Sequence, residues 1–184
     1  MRPFVAAIVA MAALAASQVA GVAQAAGPAT PAAGPMAQVQ AARAATDKYH
    51  KLSTAKAAGF TKLVDKDGIA CIAEPGMGAM GVHYVKATLV GDPAIRLRHP
   101  EALVYRPTSN GLRLVALEYV VLRKDWRSAH GMNAPRPNLY GHSFNFTPKG
   151  NRYGLPAFYS LHAWIWYANP SGMFTMWNPR VHCP

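Results

Sequence analysis

The chain has 184 residues, 51% of them hydrophobic, which suits one domain of ordinary size with a core of its own. Nineteen Lys and Arg stand against eight Asp and Glu, a formal net charge of +11 that favours anionic envelope surfaces or polyanionic ligands. The basic residues are scattered singly or in pairs, as in Arg96 and Arg98 or Arg123-Lys124, and no basic helix, zinc finger or aromatic-basic motif is present, which excludes a nucleic-acid reader.

The first element in chain order is a secretory signal peptide over residues 1–25. Arg2 supplies the positive start, Phe4 to Ala16 is an uncharged apolar run, and Ala23-Gln24-Ala25 offers small residues for cleavage. The apolar run falls short of the roughly 20 residues of a permanent transmembrane helix. No later segment is long and apolar enough to cross a membrane. Export places the mature protein in a periplasm or outside the cell. Residues 26–35 (AGPATPAAGP) lack any periodic pattern and read as a tether, so the folded domain is predicted over 36–184.

Within that domain, alanine-rich composition and the spacing of Val39, Ala42, Ala45, Tyr49 and Leu52 predict a helix over Ala37 to Gly59. Ile69 to Ala73 is a short strand ending at Glu74-Pro75. Gly76 to Gly81 is a glycine-rich bend that lacks the Lys-Ser/Thr ending of a phosphate-binding loop. A strand follows over Val82 to Val90. Glu101 to Arg106 and Leu112 to Leu122 form a hairpin turned by Asn110-Gly111. Arg123 to Asn138 reads as a polar loop, Ala157 to Tyr167 as an aromatic strand, and Met173 to Cys183 as a final segment after Asn169-Pro170-Ser171-Gly172. The predicted fold is α+β: an N-terminal helix packed on a mostly antiparallel β-sheet or open barrel. Cys71 and Cys183, an even pair in an exported chain, are expected to form one disulfide.

Period-two alternation places His83 with Val85, Ala87 and Leu89 on one face of its strand. It places Glu118 with Leu112, Leu114, Ala116, Val120 and Leu122, and His162 with Phe158, Ser160, Trp164 and Trp166. Each ionisable group therefore sits among residues expected to face the core, where a lone carboxylate is costly unless protonated, paired or bound. Two imidazoles and one carboxylate are the ligand set of a divalent transition-metal site with open positions, and His142 in a nearby loop is a candidate fourth member. The same three residues suit a general acid/base cluster, or a structural network satisfied by Ser160, a tyrosine hydroxyl or an arginine. Ser160 lies two residues before His162 but lacks a nucleophile elbow, and Glu101 with Glu118 is a poorly supported glycosidase pair. Phe158, Trp164, Trp166 and Trp177 are either a core wall or the lining of a pocket for a small apolar ligand.

Several segments together resemble a family of exported bacterial proteins of unassigned function. They are Gly78-Ala79-Met80-Gly81-Val82-His83-Tyr84, Glu101-Ala102-Leu103-Val104-Tyr105 and Leu114-Val115-Ala116-Leu117-Glu118-Tyr119. The others are Leu161-His162-Ala163-Trp164-Ile165-Trp166 and Asn169-Pro170 through Trp177-Asn178-Pro179-Arg180-Val181-His182-Cys183. The resemblance implies that His83, Glu118 and His162 belong to a shared pattern, and it carries no catalytic role. Three functions follow: a small exported binding protein with an aromatic pocket or His/Glu metal site, a metal-dependent or acid/base enzyme, and a structural envelope protein. Inward-facing ionisable groups argue against the last, and the absence of a recognisable catalytic spacing argues against an enzyme. The expected partners are a metal ion or small apolar ligand.

Overall fold

In the computed structural model, which describes residues 34–184, the alanine-rich segment is helical but in two pieces. The predicted signal peptide and nearly all of the tether lie outside the described residues. Helix α1 (Pro35–Thr46) starts on a proline, whose fixed φ and missing N–H suit a first turn. Its buried residues Val39, Ala42 and Thr46 face the sheet. A 3-10 turn (Asp47–His50) follows, Lys51 is extended, and α2 (Leu52–Ala57) resumes. The continuous helix expected over Ala37 to Gly59 is therefore broken. The Tyr105 hydroxyl donates to the Tyr49 carbonyl at 2.7 Å, and the Tyr49 ring meets Phe60 edge-on at 5.3 Å. Tertiary contacts outweigh helix propensity at that point.

The sheet has seven strands: β1 (Thr61–Lys62), β2 (Cys71–Glu74), β3 (Gly78–Val85), β4 (Ala102–Thr108), β5 (Gly111–Leu122), β8 (Asn145–Thr147) and β9 (Phe158–Ala163). Their order is β1-β3-β4-β5-β9-β8 with β2 also on β3, and every pairing is antiparallel. The sheet stays open, which selects the α+β sheet over the barrel. Two short strands, β6 (Asn138–Leu139) and β7 (His142–Ser143), pair separately. No helix among the described residues is long and apolar enough to cross a membrane.

Several predicted elements have different bounds. The strand expected over Val82 to Val90 begins earlier, at Gly78, and its second half is the short helix α3 (Ala87–Val90). Of the glycine-rich bend over Gly76 to Gly81, only Gly76 and Met77 are turn. Gly78 has φ +97°, and a Cβ there would collide with the Asn178 carbonyl, so glycine lets Ala79 and Asn178 exchange backbone hydrogen bonds at 3.2 and 3.1 Å. The loop expected over Arg123 to Asn138 opens with helix α4 (Arg123–His130), and β9 ends at Ala163, four residues before the aromatic run does. The final segment makes an isolated bridge to β3 and is held by the Cys71–Cys183 disulfide, with Cα atoms 5.6 Å apart.

Bulges decide which residues share a face. Val104 pairs with Ala116 but Tyr105 with Leu114, so Val115 is an extra residue in β5. Leu114 consequently joins Leu117, Tyr119 and Val121 in the core beneath the helices, rather than sharing the Glu118 face as strict alternation predicts. The opposite face carries Ala79, Val104, Ala116 and Trp164, with Val181 of the final segment packed on them.

Glu101, 1% exposed, sits where β4 begins, and its Oε2 accepts the Val120 N–H at 3.0 Å, a donor left over beyond the β4 ladder. Burial pushes its carboxyl up to about 8, against the opposing effect of that hydrogen bond. The folded state thus holds a proton that the unfolded chain releases near its ordinary value. This contribution is complete below about pH 4.5 and is lost as pH rises through about 8. Between pH 5 and 9 wild-type stability is expected to fall, relative to Glu101→Gln, by on the order of 3 kcal/mol. Urea unfolding of both proteins across that range checks it; parallel pH curves contradict it.

Candidate metal centre

Three strands bring the central residues together. In the sheet register Glu118 of β5 lies opposite His162 of β9 on one side and Ala102 of β4 on the other. His83 of β3 lies opposite Val104, one diagonal step from Ala102. Neighbouring strands are about 4.8 Å apart, so His83 and Glu118 must reach across β4, and the small Ala102 leaves room for that.

The ligand atoms converge. His83 Nε2 is 3.4 Å from Glu118 Oε2 and 3.3 Å from His162 Nε2, while His162 Nδ1 is 3.6 Å from Glu118 Oε1. One ligand atom from each residue lies within 4.8 Å of the other two. Atoms held about 2.1 Å from a tetrahedral ion are about 3.4 Å from one another, close to the distances of His83 Nε2 from Glu118 and from His162 Nε2. His83 and His162 are 2% and 1% exposed and Glu118 13%. Nδ1 of both histidines is buried without a hydrogen-bond partner of normal geometry.

Burial dominates the electrostatics. It pushes the His83 imidazole down to about 4 despite the nearby Glu118 charge, and His162 down to about 3. Burial also raises the Glu118 carboxyl, against the His83 charge and a hydrogen bond from the Ser160 hydroxyl. At neutral pH both rings are therefore neutral with lone pairs available. Of the partners expected for a structural network, Ser160 and the two imidazoles do contact Glu118, while no arginine pairs with it among the described residues. Three buried tyrosine hydroxyls are engaged elsewhere: Tyr105 donates to the Tyr49 carbonyl, Tyr119 to the Leu97 carbonyl, and Tyr119 and Tyr140 bond each other.

Two cavities meet at Glu118. The larger, about 630 Å³, is walled by Val85, Val90, Ala102, Val120, Leu122 and Phe158, with His83 and Glu118 in its lining. The smaller, about 290 Å³, includes Glu118, Ser160, Met80, Met176 and Trp177. Tyr153 and Phe158 line both. Tyr153 is held there by its neighbour Arg152, whose guanidinium donates to the buried Asp65 carboxylate at 2.6 and 2.8 Å.

The remaining candidate residues separate. His142 lies on β7, exposed, with its ring on Phe174 at 4.3 Å, and is not a fourth member of the convergent group. Trp164 covers His162 at 6.2 Å and its indole N–H donates to the Thr175 carbonyl. Trp166 does not share that face: past the end of β9 it turns to the helix side, against His50 at 4.4 Å and Arg43. Of the four aromatics read as a core wall or a pocket lining, Phe158 and Trp177 line the smaller cavity, while Trp164 and Trp166 line neither cavity. Asp65, Arg152 and Tyr153 were not singled out from the sequence, because isolated loop residues carry no periodic signal. Comparison of the chain with known protein families, curated proteins and solved structures finds no match.

Proposed function

We propose that this protein binds one divalent transition-metal ion through His83, Glu118 and His162, working in the oxidising compartment that its leader sequence and disulfide suit. The observation that carries this reading is the convergence of three ligand atoms, one from each residue, in a buried site. Two nitrogens and one carboxylate oxygen fit zinc, iron(II), cobalt(II) or nickel(II), all bound by imidazole and carboxylate, better than calcium or magnesium. Three protein ligands leave at least one coordination position for water or a bound molecule. A divalent ion would also offset the burial cost that raises the Glu118 carboxyl.

The test is a Co²⁺ titration of the mature, oxidised protein. Visible absorption of a low-coordinate nitrogen/oxygen site should saturate at one equivalent, and Zn²⁺ should abolish it. Absence of that band, or an unchanged band in His83→Ala/His162→Ala, contradicts the reading.

A further inference from the structure

The larger cavity is an apolar recess that reaches the proposed metal-ligating residues. Two of the three, His83 and Glu118, are part of its lining; the third, His162, is sealed behind Trp164 and lines neither cavity. An ion held by the three side chains therefore has its open position toward this recess. The recess is sided by aliphatic residues of β3, β4 and β5, with Phe158 of β9 and Leu155 behind it. Its polar groups are few: Lys62 and Thr61 on β1, the Tyr153 phenol and the two ligands themselves. That combination of apolar walls with a few convergent polar groups characterises a small-molecule site.

Charge narrows the occupant. A divalent ion with Glu118 as its one anionic ligand leaves a net charge of +1 at the floor, and Lys62 adds a second positive group. Glu118 is the only acid in the lining. The head of the occupant is therefore anionic with an oxygen donor, and the apolar walls require a hydrocarbon body behind it.

We infer that the cavity binds a small carboxylate with an apolar body, its carboxylate oxygen filling the open metal position and its hydrocarbon part lying against Val85, Val120, Leu122 and Phe158. This rests on the metal reading above. The ion supplies a positive anchor, the Tyr153 hydroxyl is a donor available to the second carboxylate oxygen, and the cavity of about 630 Å³ accommodates a medium-length chain.

The experiment uses the Co²⁺-loaded mature protein and a straight-chain series of acetate, butyrate, hexanoate and octanoate, with 1-octanol as a headgroup control. Each carboxylate should shift the Co²⁺ absorption, and each added pair of methylenes should tighten binding by up to about tenfold until the cavity is filled. Octanol should leave the spectrum unchanged, and Ala87→Trp, an exposed position on the cavity wall, should weaken octanoate by at least about tenfold. Equal affinity for acetate and octanoate overturns the cavity proposal while the metal reading stands. Octanoate binding of equal strength to metal-free protein, measured by calorimetry, overturns the anchoring role of the ion. Failure of Co²⁺ itself to bind is a separate result that removes the metal reading.

Discussion

Glu118→Gln is expected to lower Zn²⁺ or Co²⁺ affinity by at least about 100-fold, since loss of a direct ligand should exceed the 10- to 100-fold cost of losing an outer-shell partner. The same change should leave the metal-free protein as stable as wild type, or more so. The amide has nearly the shape of the carboxyl group, can keep the Ser160 hydroxyl as a neighbour, and never carries the buried charge that desolvation disfavours. Wild type at an excess of 100 times its dissociation constant should gain about 2.7 kcal/mol from the ion, and the variant almost nothing. A structural His-Glu network predicts the reverse: a destabilised metal-free protein and no metal-dependent difference. Thermal unfolding of both proteins, with chelator and with Zn²⁺, separates the two accounts.

The second large effect concerns the final segment. Replacing Cys71 and Cys183 together by Ala opens a loop with a sequence separation of 112 residues. In the chain-entropy account this is expected to cost about 4–5 kcal/mol. Val181 and Cys183 pack against the cluster of Val104, Ala116 and Trp164, and Trp164 is the lid of His162. Releasing the clasp should therefore loosen the metal site as well as the tail, weakening Co²⁺ binding alongside a lower urea midpoint. A loss below about 1 kcal/mol with unchanged Co²⁺ affinity would mean that packing and the Ala79–Asn178 bridge alone hold the tail.

The fold class, the disulfide and the three central residues were legible in the sequence, because alternation in strands is a strong local signal. His83, Glu118 and His162 each stand at a core-facing phase of their own strand, and antiparallel pairing then sets them side by side. What alternation could not show was the extra residue Val115, which turns Leu114 to the helix face without disturbing Glu118. The same limit applies beyond Ala163, where the chain leaves the sheet and carries Trp166 to the other side. The break at Lys51 depends on a hydroxyl from Tyr105, more than fifty residues away. Likewise, the placing of Tyr153 depends on an ion pair between Arg152 and Asp65. Such long-range partners have no local trace in the sequence.

The Glu101 and Glu118 carboxyls show how one sheet uses the same side chain differently. Both are pushed up by burial, but Glu101 caps a single leftover backbone donor and faces no imidazole. Glu118 faces two neutral rings and two cavities. Only the second has two other candidate metal-ligand atoms beside it among the described residues.

The most direct measurement is a crystal structure of the Zn²⁺-loaded protein with data collected on both sides of the zinc absorption edge. The account predicts one anomalous peak about 2.0–2.2 Å from a ring nitrogen of His83, a ring nitrogen of His162 and an oxygen of Glu118. A fully Zn²⁺-exposed crystal with no peak there, or with its ion on surface histidines such as His50 or His142 instead, would contradict it.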